Sequence, residues 1–260
     1  MFRQPAAGTT LPGLRGVGRA RSSSPMIAID TLGAVRHLTI DRPEKRNALD
    51  LAHYDALADA LEQADRDEAI SAVVLSGKGP AFCAGVDLAA MGPSGAGPAL
   101  GVAAERLFTA LDSLALPLVA AVDGAATGLG LTMLGYADLV LASPRARFRA
   151  PFAALGFAPE AASSVLLPRR IGWQNAAWML FSTEWIDAPE AREMGLVWRI
   201  LPEEDFVPNA LELAARLAAQ PRPALAAAKR LLVNWRSTDA STARRLESEA
   251  FATLLGSRRG

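Results

Sequence analysis

Hydrophobic positions along the chain follow two alternating rhythms. Short, nearly continuous apolar runs at 71–77 (SAVVLSG) and 117–124 (PLVAAVDG) have strand length and end on glycine. The segments that follow carry apolar residues at i, i+3, i+4 and i+7, the spacing of one helical face. Ahead of these runs, MIAID (26–30) and AVRHLTI (34–40) form two short strand candidates around Gly33. Over 51–65, Leu51, Tyr54, Leu57, Ala58 and Leu61 share one helical face, and the preceding loop supplies Asn47 and Asp50 as helix caps. Further helices are predicted at 102–115 and 128–136, and strands at 118–122, 138–142 and 146–149. The remainder reads as helices at about 160–168, 172–181, 188–194, 204–219, 222–236 and 239–255, with one strand near 197–201. Strands alternating with helices predict an α/β fold built from parallel βαβ units. The final helices are amphipathic and rich in Ala and Leu, so they require a partner surface, part of it on another subunit. No repeat is visible in the sequence itself, and no composition break demands a domain boundary before about 200.

Two glycine turns change this picture from architecture to chemistry. AFCAGVDL (81–88) and GAATGLGLTMLG (124–135) each follow a strand-type run and lead into a helical segment. Glycine lets the backbone turn sharply and brings N–H groups close to a ligand. Two such turns side by side aim two main-chain donors at one oxygen, the arrangement that stabilises an oxyanion formed from a carbonyl or thioester. A third Gly/Pro-rich stretch, GPSGAGPALG (92–101), has no periodicity and reads as a mobile loop beside the site.

Composition excludes several classes. Hydrophobic residues make up 51 % of 260, enough for a substantial core, yet no apolar run approaches the roughly 20 residues that span a bilayer. Lys plus Arg and Asp plus Glu both number 27, so no global field favours nucleic acid or an anionic membrane. The single cysteine, Cys83, excludes an internal disulfide and suits a reducing compartment. No histidine lies near it in sequence, and it reads as a small buried side chain rather than a nucleophile. Residues 1–25 contain four arginines, a Ser22–Ser24 run and no acid. They are expected to be a disordered extension outside the fold, with Met26 as an alternative start. The Ala, Gly and Arg abundance of the whole chain points to a GC-rich bacterial gene and a cytoplasmic protein. The same leader composition also fits a mitochondrial transit peptide.

At LTIDRPEKRNALD (38–50), VVLSGKGPAFCAGVDLAAM (73–91), PLVAAVDGAATGLGLTMLGYADLVLAS (117–143) and WIDAPEAREMGLVWRIL (185–201), the chain resembles the crotonase, or enoyl-CoA hydratase/isomerase, superfamily. The similarity runs from Met26 onward. It implies a repeated ββα core over 26–200 that binds an acyl-CoA thioester, and a C-terminal helical region over 201–260 that joins subunits into trimers or dimers of trimers. No cofactor beyond the CoA of the substrate, and no metal, is implied. The resemblance assigns the two oxyanion N–H groups to Val86 and to Leu129, the middle residue of Gly128-Leu129-Gly130. It assigns the Ala84 carbonyl to the adenine end of CoA, and makes Arg42, Lys45 and Arg46 candidates for its phosphates, with a solvated charge cluster as the alternative. Asp87 is expected to order its own turn by backbone hydrogen bonds. Gly128 and Phe152 complete the expected contacts to the acyl group.

The resemblance fixes the oxyanion hole better than the reaction. Its hydratases use two glutamates, whose positions here are held by Thr132 and Phe152, so two-glutamate hydration is not expected. The stretch 149–172 instead offers Glu160 in a P-E-x-x-S-S context, similar to the peroxisomal-type Δ3,Δ2-enoyl-CoA isomerases in which such a glutamate is the base. Apolar neighbours Phe152, Leu155, Phe157 and Val165 would raise its pKa toward a useful range. A carboxylate that merely stabilises a helix N-terminus is the alternative. Two other readings remain: an aromatic-CoA dehalogenase-like reaction using Phe152 and Phe157, and an acyl-CoA-binding scaffold without turnover. His37, His53 and the tryptophans Trp173, Trp178 and Trp185 read as structural or as subunit contacts, and Glu105 as a residue able to approach the acyl pocket.

Overall fold

The computed structural model of the chain describes residues 26–91 and 97–257. An antiparallel hairpin, β1 (Ile27–Leu32) and β2 (Val35–Ile40), opens the fold and leads to helix α1 (Leu51–Arg66). Three units of similar plan follow. Each has a strand in a large sheet, a short strand in a small sheet, and a helix. They are β3 (Ala72–Gly77), β4 (Ala81–Cys83), α2 (Pro98–Ser113); β5 (Leu118–Val122), β6 (Ala125–Thr127), α3 (Leu129–Thr132); and β7 (Leu139–Ala142), β8 (Arg147–Arg149), α4 (Phe152–Leu155). The chain continues through α5 (Ser163–Ile171), α6 (Trp173–Ser182), β9 (Ile186–Asp187), α7 (Ala188–Met194) and β10 (Arg199–Ile200). It closes with α8 (Phe206–Ala218) and α9 (Arg222–Ser257). The large sheet has the order β1-β2-β3-β5-β7-β10 and the small one β4-β6-β8-β9. The ββα repeat is therefore one of topology, with no counterpart in residue identity.

Strand alternation decides which layer each residue joins. Val73 and Leu75 of β3, Leu118, Ala120 and Val122 of β5, and Val140 and Ala142 of β7 face the main core. Their neighbours Val74, Val119, Ala121 and Leu141 point to the opposite face, where Phe206, Ala210 and Ala214 of α8 cover them. Both faces are thus apolar, which is why these strands read as continuous runs rather than as alternating ones. On α1, Tyr54, Leu57, Ala58 and Leu61 are fully buried as their spacing predicts, each large side chain contributing about 2 kcal/mol of apolar burial, whereas Leu51 at the start of the helix is exposed.

Several boundaries differ from the sequence reading, for identifiable reasons. The helices predicted at 222–236 and 239–255 form one continuous helix of 36 residues, α9. Ser237 and Thr238 lower helix propensity by only a few tenths of a kcal/mol, and no Gly or Pro falls between Ala224 and Leu255. The helix is held by contacts along its length. Arg222 donates to the carbonyls of Ile70 and Asp65, the buried Lys229 donates to Leu116 O and Asp138 Oδ2 at 2.7 Å each, and Arg169 pairs with Asp239. The helix expected over 128–136 is α3 followed by a 3-10 turn, Met133–Tyr136. The loop expected over 92–101 is helical from Pro98, whose missing N–H is tolerated at a helix start; its residues 92–96, like the extension 1–25, lie outside the described residues. Strands of two or three residues, β4, β6 and β9, were too short to register as a periodic pattern. Asp50 caps α1 as expected, accepting from His53 N at 3.2 Å. Asn47 does not cap it. It adopts φ 59° and uses its buried amide to donate to Lys78 O and Ala81 O.

Candidate active site

The small sheet brings the two glycine turns together. β4 and β6 are parallel neighbours, with Ala81 opposite Ala125 and Cys83 opposite Ala126, so the turns leaving their C-terminal ends lie side by side. Gly85 has φ 89° and Gly128 has φ 55° with ψ −123°, conformations that an L side chain resists. A Cβ on Gly85 would meet Thr127 O at 2.9 Å and Leu129 N at 3.4 Å. Leu129 is the first residue of α3, where no intrahelical partner exists for an N–H. The carbonyl of Gly85 and the amide of Asp87 bond to Leu49, which leaves the intervening Val86 amide out of the ladder. Neither the Val86 N–H nor the Leu129 N–H donates to any group among the described residues.

Both residues line a cavity of about 490 Å³. β8 is the next strand, pairing Thr127 with Arg149, and the chain leaving it supplies Pro151, Phe152, Leu155, Phe157 and Glu160 to the same cavity. α1 adds Tyr54, α2 adds Leu100, Ala104, Glu105 and Phe108, and α9 adds Arg244, Glu247, Ser248 and Phe251. Phe157 and Phe251 stack with ring centroids 5.0 Å apart. The lining is mostly apolar with a few convergent polar groups, the usual character of a small-molecule site.

Three carboxylates reach this cavity, in three different states. Glu105 is ion-paired to Arg244, with Nε 3.0 Å from its Oε1. Glu247 is buried and accepts from Ala162 N at 2.8 Å and from Ser164 N and Oγ at 2.9 and 2.5 Å. Glu160 is reached from the cavity, and its carboxyl group has no hydrogen-bond partner among the described residues. Burial first, and the Glu247 charge second, push its pKa from the ordinary 4.5 up to about 7. Burial also raises the Tyr54 hydroxyl well above its usual value, with Glu160 adding to the effect, so the phenol beside this acid stays protonated.

The remaining predicted residues divide clearly. Ala84, Gly128 and Phe152 line the cavity. Thr132 is fully buried, with its hydroxyl turned to Leu129 O at 3.4 Å. Asp87 accepts from Ala89 N at 3.1 Å, ordering its own turn, and does not line the cavity. Arg42 departs from its expected part in phosphate binding. Its guanidinium lies 3.2 Å from Asp50 and 3.1 Å from Asp87 and donates to Ala48 O at 2.8 Å, tying the loop after β2 to the first glycine turn. Lys45 and Arg46 are exposed outside the cavity wall. Cys83 is fully buried, accepts from Gly85 N at 3.4 Å, and has its thiol pushed up to about 12 by burial. His37 bonds Ser76 and Thr39, and His53 bonds Asp50, so both histidines serve internal contacts. Trp173 and Trp178 are exposed on α6. Trp185, by contrast, lines the cavity beneath the guanidiniums of Arg147 and Arg149.

Sequence reasoning missed the contribution of α9. Arg244, Glu247, Ser248 and Phe251 stand at i, i+3, i+4 and i+7, one stripe of a helix whose Ala240 and Ala243 are buried. That polar stripe next to a buried one was the available signal.

A family model described as enoyl-CoA hydratase/isomerase matches residues 30–258. The 1,2-epoxyphenylacetyl-CoA isomerase of Escherichia coli K12 is 35% identical over 193 residues, covering 72% of this chain and 74% of that protein. A probable enoyl-CoA hydratase of Rhodobacter capsulatus is 41% identical over 199 residues, with 74% and 75% covered. Enoyl-CoA delta isomerase 2 of Rattus norvegicus is 34% identical over 194 residues, covering 73% of this chain and 49% of the rat protein. Among solved structures, an enoyl-CoA hydratase/isomerase from Pseudoalteromonas atlantica T6c superposes with a TM-score of 0.83 at 37% identity, over 89% of this chain and 92% of its own. The chain belongs to the enoyl-CoA hydratase/isomerase, or crotonase, superfamily of acyl-CoA enzymes.

Proposed function

We propose that this enzyme shifts a double bond, converting a 3-enoyl-CoA into the conjugated 2-enoyl-CoA with Glu160 as its single proton carrier. The observation that carries this reading is the division of labour among the cavity carboxylates. Glu105 is engaged by Arg244 and Glu247 by Ala162 and Ser164, while Glu160 alone has an unengaged carboxyl. The substrate thioester oxygen sits between the N–H groups of Val86 and Leu129. Glu160 takes a proton from C2, and the electron pair moves into a dienolate whose charge rests on that oxygen. The protonated Glu160 then returns the same proton at C4, and the double bond re-forms between C2 and C3. The acid and base steps are consecutive, so one carboxyl suffices and no net proton is consumed. A pKa near 7 suits both steps.

Support also comes from Thr132 and Phe152, neither of which can act as a base where the family's hydratases carry glutamates, and from the likeness to the rat delta isomerase. The Ala84 carbonyl is assigned to the adenine end of CoA, with Lys45 and Arg46 on its rim. Exposed Trp173, Trp178 and Phe181 on α6 suit a subunit contact in a trimer or a dimer of trimers, which a solution mass would test. No helix among the described residues is long and apolar enough to cross a membrane.

A coupled assay on 3-enoyl-CoA and 2-enoyl-CoA tests the chemistry. Isomerisation that falls by 10²-fold or more in Glu160→Gln, with hydration negligible in both proteins, is the expected result. Hydration exceeding isomerisation in the wild type, or a Glu160→Gln enzyme of undiminished rate, overturns the reading.

A further inference from the structure

We propose that Glu247, on the C-terminal helix, is the positioning residue that holds Glu160 in working geometry. The inference rests on the assignment of Glu160 as the proton carrier. Its starting point is a strained turn. The two residues directly after Glu160, Ala161 and Ala162, both adopt left-handed backbone, at φ 59° and 56°. Neither is glycine, and each such residue costs roughly 1–2 kcal/mol. Two in succession persist only when their surroundings enforce them.

Ser163 N closes the turn onto Glu160 O at 3.1 Å and both alanines are packed in the core, and the side-chain partner of the turn is one carboxylate. Ala162 is the N-cap of α5, and its own side chain offers no oxygen to the unpaired N–H groups of the first helical turn. Glu247 supplies both oxygens from a helix 85 residues away in sequence, Oε2 to Ala162 N and Oε1 to Ser164 N and Oγ. The capping function is thus met by α9 rather than by the local sequence, and the strained pair is clamped at its second residue, Ala162, and two residues beyond it at Ser164. Arg244, one turn earlier on α9, is buried against Glu105 of α2 and Tyr136, which fixes the register of the helix that delivers Glu247.

Glu247 has an electrostatic effect as well. Its charge is the second cause, after burial, of the raised Glu160 pKa. The other groups around the pair are Tyr54 of α1, Cys83 of β4, Glu105 and Asp112 of α2, Tyr136, Arg149 of β8 and Arg244 of α9. Tyr54 and Cys83 are neutral at working pH, and Glu247 is the charge that, beside burial, raises the Glu160 pKa.

The test uses the full-length protein and the variants Glu247→Gln and Glu247→Ala, with carbon-labelled glutamate to follow the Glu160 carboxyl by NMR titration. In Glu247→Gln the Glu160 midpoint and the acid limb of the kcat/KM profile should both move to lower pH, by about 0.5–1 unit. In Glu247→Ala the amide signals of 161–164 should shift, and kcat should fall about tenfold or more with KM within about twofold. An unchanged Glu160 midpoint together with unshifted 161–164 signals overturns the proposal. Should Glu247→Ala fail to fold, Glu247→Gln carries the test alone, since it keeps size and one acceptor oxygen. The NMR readout is independent of turnover. A Glu160→Gln enzyme that still isomerises defeats the proton-carrier reading, whereas an unmoved Glu160 midpoint with unshifted 161–164 signals defeats the positioning role.

Discussion

A Cβ placed on Gly85 would lie 3.4 Å from the amide nitrogen of Leu129, the donor on the neighbouring turn. The two turns whose amides are proposed to hold the thioester oxygen therefore meet in the space that a methyl group would fill. Gly85→Ala adds that methyl at φ 89° and 2.9 Å from Thr127 O, so both turns must give. The expected outcome is a fall in kcat on the order of 10²–10³, the loss typical of one displaced oxyanion donor. The backbone strain should also cost about 1–3 kcal/mol of stability. Steady-state kinetics beside a urea titration check both.

Glu160 links activity to stability. Its pKa of about 7 in the folded chain exceeds the ordinary 4.5, so between those values the folded protein binds more protons than the unfolded one. Stability then falls as pH rises from about 4.5 through 7, and the full penalty is present at pH 8. Glu160→Gln should raise stability at pH 8 by about 3 kcal/mol, with the gain gone near pH 4. Melting curves across that range test the sign. A variant less stable than wild type at pH 8 contradicts it.

The cationic loop after β2 should split into two classes. Arg42→Ala removes a guanidinium bonded to Ala48 O and ion-paired with Asp50 and Asp87, and should lower stability by about 1–3 kcal/mol. Lys45→Ala and Arg46→Ala lie on the surface and should change stability by less than about 0.5 kcal/mol. If these two meet the CoA phosphates, their loss raises KM and flattens its salt dependence. Denaturation and KM measured at two ionic strengths separate the classes.

Cys83 should be inert in the folded protein. With its thiol at about 12, roughly one molecule in ten thousand carries the thiolate at pH 8, and the sulfur is fully buried. A thiol reagent should label it only in denaturant. Stoichiometric labelling of the native enzyme would show that the first glycine turn opens.

The parts of this site that could be read in advance are those fixed by neighbouring residues. Gly85 and Gly128 stand in glycine-rich stretches a few residues beyond the apolar runs of β3 and β5, so their turns were visible in the sequence, while the ββα plan came only with the family resemblance. The short strands β4 and β6 were hidden because three residues set no period, although they are what place the turns side by side. Arg42 has the charge of a phosphate ligand, and only the folded loop shows Asp50 and Asp87 claiming it. Glu247 was the least legible of all. Its partners lie more than 80 residues upstream, and nothing local marks an acid on an amphipathic helix as another helix's cap.

The length of α9 has an evolutionary consequence. At 1.5 Å per residue, the 30 residues from its mooring at Arg222 to the cavity wall at Phe251 extend about 45 Å. That part of the cavity wall is thus encoded in one late stretch of the gene, while the two amides proposed to hold the thioester oxygen belong to turns encoded long before it. Exchanges at Ser248 and Phe251 can therefore reshape the cavity and leave the two glycine turns untouched, so on the proposed function selectivity and catalysis are free to diversify at different speeds.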